Sequence, residues 1–227
     1  RDVTTILQSQ TRMEREEDIF DVRASLKVAG PFSVRIGYSE NQADILVLND
    51  PSEVVVAGGQ GGQYDRRVGT FDGGLLFKLS GLSLGVDYVT QNADNAVMRT
   101  DFLDRDRIRV RGAWEAAKWL RIGATAEQID TENADAGYGL DGKVKTYAGD
   151  LEVGPWNWLR LRFGMGRFES DNSIAYRIPQ TFATATSVYA EKGDSLEGGL
   201  TVNFKPFTLE AQLRRFENEG SFAYELD

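Results

Sequence analysis

The sequence predicts an all-β fold: an antiparallel up-and-down sheet built of repeated hairpins. Three observations carry this. Apolar and charged residues alternate with period two along most of the chain, which puts one kind of side chain on each face of a strand. The alternating segments meet at short turns near residues 31, 81, 118, 156 and 206, a regular hairpin array within a single domain spanning residues 1–227. No stretch approaches the roughly 20 consecutive apolar residues that a membrane-crossing helix needs.

In the first hairpin Phe20, Val22, Ala24, Leu26 and Val28 alternate with Asp21, Arg23, Ser25 and Lys27. The chain turns at Gly30-Pro31 and returns through Phe32, Val34, Ile36 and Tyr38. The second runs from Phe71 to Leu79, turns at Ser80-Gly81 and returns through Leu82, Leu84, Val86 and Tyr88. In the third, Ile108, Val110, Gly112 and Trp114 oppose Arg107, Arg109, Arg111 and Glu115; the chain turns at Lys118-Trp119 and returns through Leu120, Ile122, Ala124 and Ala126. The fourth is "LEVGPWNWLRLRFGMG" (151–166), with Pro155, Trp156 and Trp158 at the turn. The fifth turns at Pro206 between segments 196–204 and 209–213. The far ends of the hairpins carry polar segments that resemble one another: "ENQAD" (40–44), "QNADN" (91–95), "ENADAG" (132–137), "ESDNS" (169–173) and "ENEGS" (217–221). Their Asn, Asp and Gly content predicts long loops. "RDVTTILQSQTR" (1–12) is read as a preceding strand of poor alternation. The final "SFAYELD" is read as the start of a further strand, with Phe222, Tyr224 and Leu226 on one face.

Composition narrows the chemistry. A net charge of −9 argues against a nucleic-acid partner. There is no cysteine and no histidine, which removes disulfides, thiolate and imidazole metal ligands, and the Ser–His and Cys–His pairs. Carboxylate chemistry survives, but nothing singles out a pair such as Asp130 and Asp135. "DFLDRD" (101–106) lacks the ligand spacing and glycine turn of a calcium loop. "VVVAGGQGGQ" (54–63) lacks the order of a phosphate-binding loop and reads as a flexible segment. The sequence therefore predicts no enzyme, no cofactor and no metal.

Ten visible strands of about ten residues each have the length a tilted membrane-spanning strand requires. A closed sheet leaves no backbone edge unpaired in a bilayer. In these features the chain resembles a bacterial outer-membrane β-barrel of the porin-like kind, over nearly its whole length. The resemblance implies an outer-membrane location, with the lipid bilayer and lipopolysaccharide as surroundings, short turns toward the periplasm and long loops outside. Phe32, Trp119, Trp156, Trp158 and Phe207 would then form one aromatic girdle at the headgroups. Strand one leaves from the long-loop side and strand ten returns to it. Single-chain barrels of the family keep both termini in the periplasm, so the visible strands are expected to be part of a barrel of twelve or more. The competing fold is a soluble β-sandwich or extended sheet, against which stand the long uniform strands and the small residues on the apolar face (Ala24, Gly73, Gly112, Ala124, Ala126, Gly149).

The polar face is then assigned to the lumen, lined by Arg107, Arg109, Arg111, Arg121, Arg160 and Arg162 together with Glu115, Glu127, Asp150 and Glu152. Lys145 is counted on the same face. Basic residues outnumber acidic ones there, so a mildly basic lumen is expected. An arginine ladder facing acidic strands sets a transverse field for permeating solutes, or the two signs pair across strands to satisfy charge. The expected function is a pore for small polar solutes or ions. The alternative is a structural sleeve holding a partner protein. It has only a general likeness to large barrels that sheathe a multihaem cytochrome; with no haem motif in this sequence, the cytochrome would be a separate chain.

Overall fold

A computed structural model describes residues 12–48, 62–95, 102–135, 138–177 and 184–226. Among these residues there are ten β-strands and no helix. The strands are β1 (Arg12–Ala29), β2 (Phe32–Leu48), β3 (Gly62–Leu79), β4 (Leu82–Ala93), β5 (Asp104–Ala117), β6 (Leu120–Asp135), β7 (Tyr138–Trp156), β8 (Leu159–Arg177), β9 (Thr184–Phe204) and β10 (Phe207–Leu226). They form one sheet in strict sequence order, every neighbour antiparallel, and β1 and β10 are its two unpaired edges.

Turn chemistry fits the sequence. Ser80 and Gly81 both have positive φ (41° and 82°), the two-residue turn whose twist matches that of its strands. Gly30 supplies the one positive φ (56°) required before Pro31. The first hairpin also shifts register before its turn, between Lys27 and Ala29, as do the third and fourth, which show no positive φ, between Glu115 and Ala117 and between Val153 and Trp156. That bulge moves the fourth turn to Asn157-Trp158 and leaves Pro155 and Trp156 at the end of β7.

Successive turns are staggered in one direction. Phe32 directly follows its turn but pairs with Phe77, three residues short of Ser80. Leu82 pairs with Trp114, four short of Lys118; Leu120 with Val153, four short of Asn157; Leu159 with Val202, three short of Lys205. A drift of slightly more than one residue per strand corresponds to a tilt of about 40°, the inclination of strands in a barrel wall.

The sheet is a single layer. Its accessible surface is 16585 Å². A compact soluble protein of 25.2 kDa exposes roughly 10,000 Å². Among the apolar residues whose burial is described only Ala43, Leu140 and Ala185 are buried, whereas Leu26, Leu75, Met165 and Leu213 are 66%, 60%, 69% and 78% exposed. The apolar face thus has no protein partner among the described residues. It forms a band: from Val28 to Phe20 along tilted β1 is about 20 Å, near the height of a barrel's lipid-facing belt.

Beyond that band the strands continue. They run from 12 residues in β4 to 21 in β9, longer than the sequence suggested. The polar segments expected as loops lie mostly within them: 40–44 in β2, 169–173 in β8, 217–221 in β10, and much of 91–95 and 132–137 in β4 and β6. "SFAYEL" likewise continues β10 and does not open a new strand. Only residues 136–137 separate β6 from β7. The physical reason is that an antiparallel ladder propagates wherever both chains stay extended, and cross-strand polar pairs support it as apolar ones do. Gln91 bonds Thr70 at 3.1 Å and Lys143 meets Asp130 at 3.3 Å. Residues 1–11 and most of 54–63 lie outside the described residues.

Candidate functional site: the ionic face

Register fixes which side chains share a face. Phe20, Tyr38, Phe71, Ile36, Val86, Val110 and Leu151 belong to the apolar face, and the intervening residues to the ionic one. Arg107, Arg109, Arg111 and Glu115 of β5, Arg121 and Glu127 of β6, Asp150 and Glu152 of β7, and Arg160 and Arg162 of β8 all fall on the ionic face. Lys145 does not. It pairs with Gln128 and stands two residues from Tyr147, in the column of the apolar face above the band, because parity along β7 is set by Asp150 and Glu152.

The charges are ordered in rows across the strands. Glu115, Arg121, Glu152 and Arg162 are successive register partners on β5, β6, β7 and β8, alternating in sign. Asp87, Arg109 and Glu127 form a second row. Glu152 receives both Arg160, at 3.1 Å, and Arg162, at 3.5 Å. Glu127 receives Arg109 at 2.5 Å and Arg107 at 3.9 Å. On the β1–β5 side Asp87 is gripped from two directions, by Arg35 at 3.1 Å and Arg111 at 2.9 Å, and its side chain is only 10% exposed. Asp72 accepts Arg35 at 3.5 Å and Arg23 at 4.0 Å. The pairs whose two members contact solvent are each worth about 0–1 kcal/mol at most, and Asp87, though buried, is met by arginines that are half exposed. The network therefore shapes the field over this face more than it stabilises the fold.

Glycines let these charges lie flat. Asp72 is the register partner of Gly37, Asp87 of Gly74, and Asp150 of Gly123. A Cβ at Gly74 would stand 2.8 Å from Asp87 Oδ1, and Cβ atoms at Gly37 and Gly123 would overlap the carboxylates of Asp72 and Asp150. Each carboxylate thus rests on the backbone of the neighbouring strand. Alternation alone assigns Asp72 and Asp87 to the polar face, whereas their glycine seats were not singled out from the sequence; the signal available was the recurrence of Gly among the polar positions of these strands.

The five girdle residues lie at the turn end, all exposed: Phe32, Trp119, Trp156, Trp158 and Phe207. Trp158 stacks between Trp156 (5.4 Å, 11°) and Phe204 (5.5 Å, 19°), and Phe32 meets Phe77 at 5.0 Å. A second aromatic row, which the sequence reading missed, marks the other limit of the band: Phe20, Tyr38, Phe71, Tyr88 and Tyr147. The Tyr38 hydroxyl donates to Glu40 (3.0 Å) and that of Tyr88 to Asp106 (2.9 Å), so the rings lie over the band and the hydroxyls reach the polar rim. In that rim the hydrogen bond that the protonated Asp44 donates to Asp65, followed by desolvation and the like charge of Asp65, holds Asp44 above the ordinary aspartate value. Asn218 and then Tyr189 hold Glu191 below the ordinary glutamate value.

No family model and no curated protein matches this sequence. Among solved structures the chain is similar to the outer membrane transporter YddB from Escherichia coli, with a TM-score of 0.55 and 12% identity over 93% of this chain and 36% of that one. It is also similar to the outer-membrane expressed OmpT of Vibrio cholerae, with a TM-score of 0.50 and 16% identity over 92% of this chain and 57% of that one. The chain thus spans well under two thirds of either protein. At such identities the likeness shows the fold alone: ten antiparallel strands arranged like a stretch of β-barrel wall.

Proposed function

We propose that this chain forms part of an outer-membrane pore through which small polar solutes or ions pass, with its apolar face toward lipid and its mildly basic ionic face toward the lumen. The carrying observation is the pairing of one single-layer sheet's two unlike faces: an unpartnered apolar band between aromatic rows, and opposite it a hydrated lattice of ion pairs lying flat on the wall. The staggered turns support closure into a barrel, and the unpaired edges of β1 and β10 support a wall of twelve or more strands, since a bilayer tolerates no open edge. This reading places the short turns in the periplasm, surrounds the band with lipid and lipopolysaccharide, and assigns the chain no catalytic role.

Single-channel recording of the full-length polypeptide in a planar bilayer, with the reversal potential measured under a salt gradient, tests it. Stable open steps with a preference for anions support the pore. A barrel that inserts and stays silent refutes it in favour of the sleeve, whose lumen is occupied by a partner protein. Failure to insert refutes the membrane reading altogether.

A further inference from the structure

We propose that the ionic face carries a binding site for a small oxyanion solute, one bearing a carboxylate or phosphate group, in the depression between Lys78, Arg111 and Arg121. The proposal rests on the pore reading for the site's place in the lumen and names the class of solute it would hold.

The site begins with a row of small side chains. Lys78, Ser83, Ala113 and Gly123 are successive register partners on β3, β4, β5 and β6, so beyond the lysine the row itself contributes little side-chain bulk, and the Asp150 carboxylate covers its Gly123 end. Thr125 lies two residues further along β6. Around this floor the sheet forms a depression of about 420 Å³. Lys78 closes one end of the row. Arg111 stands on one long side and Arg121 on the other, toward the turns. The three strand intervals from Lys78 to Gly123 span about 14 Å, a distance that long lysine and arginine side chains reduce to the size of a small carboxylic or phosphorylated molecule.

The electrostatics distinguish this place from the rest of the face. Arg23, Arg35, Arg107, Arg109, Arg160, Arg162 and Arg214 each meet a carboxylate. Among the described residues Lys27, Lys78, Arg105 and Arg121 have no such ion pair, and of these Lys78 and Arg121 line the same depression. Arg111 gives one terminal nitrogen to Asp87 and keeps further N–H donors. One carboxylate, Asp150, also lines the depression and lies over Gly123 at the β6 end of the row, away from Lys78. Glu152, the register partner of Arg121, is occupied by Arg160 and Arg162. Lys78 and Arg121 thus line a floor that offers the Ser83 and Thr125 hydroxyls, with Arg111 along one side and its guanidinium turned toward Asp87, and an oxyanion there would receive charge-assisted hydrogen bonds from the first two.

Titration of the full-length protein in detergent micelles with inorganic phosphate, followed by ³¹P line broadening, tests the site, with succinate as a carboxylate competitor. Lys78→Gln and Arg121→Gln are each expected to weaken phosphate binding by about tenfold, the loss of one charge-assisted contact. Lys78→Arg should restore it, and Arg214→Gln, whose residue is paired with Glu197 elsewhere on this face, should leave it unchanged. Equal weakening in all three glutamine variants would mean a diffuse field and overturn the site, as would no weakening in any. Failure of the pore reading is separate: a wild-type protein that binds phosphate through Lys78 and Arg121 yet never conducts retains the site and loses the pore.

Discussion

Replacing Gly193 by alanine isolates how the ionic face is packed. Gly193 of β9 is the register partner of Phe168 on β8, and the Phe168 ring lies parallel to that of Phe216 on β10, with centroids 6.0 Å apart and planes 3° apart. A Cβ at Gly193 would overlap Cε1 of Phe168 and stand 3.1 Å from its Cδ1 and 3.0 Å from the Glu217 carbonyl oxygen. The carbonyl belongs to the β9–β10 ladder and stays, so the ring must leave. Giving up the stack costs about 1 kcal/mol, and an off-rotamer ring costs about another 1 kcal/mol. Removing a glycine from a strand interior returns roughly 0.5–1 kcal/mol. The expected net effect of Gly193→Ala is a destabilisation of about 1 kcal/mol, read from reversible urea unfolding in lipid vesicles by tryptophan fluorescence. In a Phe168→Ala background the same substitution meets no ring and should become neutral or stabilising. An equal loss in both backgrounds would refute the ring-on-glycine account.

Three further outcomes are expected. Asp44 should titrate above its ordinary 3.8 in carboxyl ¹³C spectra and return toward it in Asp65→Asn. Because its folded value is the raised one, its contribution to β2–β3 pairing is present below 3.8 and is lost as pH rises through the folded value; a midpoint at or below 3.8 would sink this. Trp158→Ala removes the middle ring of a three-ring stack and should lower stability by about 1–2 kcal/mol; quenching of the wild-type indoles by brominated lipid should be strongest near the headgroups, and deep or absent quenching counts against the girdle. Glu127→Gln leaves Arg107 and Arg109 without their shared carboxylate, so the reversal potential should move toward greater anion preference, and an unmoved potential would show that this pair does not face the ion path.

Period-two alternation made the five hairpins legible, because a strand with two unlike environments must alternate. The same rule failed in two places. Beyond the apolar band both faces are polar, alternation vanishes, and "ENQAD" or "ESDNS" reads as loop although its backbone is fully laddered. Parity also cannot be kept by charge alone: Lys145 looked like a lumen residue until the register through Asp150 and Glu152 put it on the other face. The arginines of β5 and their acidic neighbours were visible from composition, whereas the partner of each was not. Asp87 is bridged by Arg35 from β2 and Arg111 from β5, residues far apart in sequence that only the strand order brings together. Phe168 on the ionic face broke the pattern for a local reason, a glycine beneath it and a second ring beside it.

The flatness of the charged layer bears on what the lumen holds. Asp72 and Asp87 rest on glycines and are each met by arginines from neighbouring strands, so their charges are satisfied within the wall while the arginines Arg23 and Arg35 stay 64% and 50% exposed. Covering such pairs with a protein partner would strip their water without supplying new counter-charges, a desolvation penalty that pairing already present cannot offset. Leaving them in contact with water costs nothing. A sleeve evolved to grip one partner would instead be expected to present unpaired charges matched to that partner over a wide area. Here cations of this face that lie outside an ion pair, such as Lys27, Lys78, Arg105 and Arg121, stand on four different strands and form no wide patch; the two that share a place, Lys78 and Arg121, share a depression of a scale suited to a solute and too small to hold a protein, and that favours the pore over the sleeve.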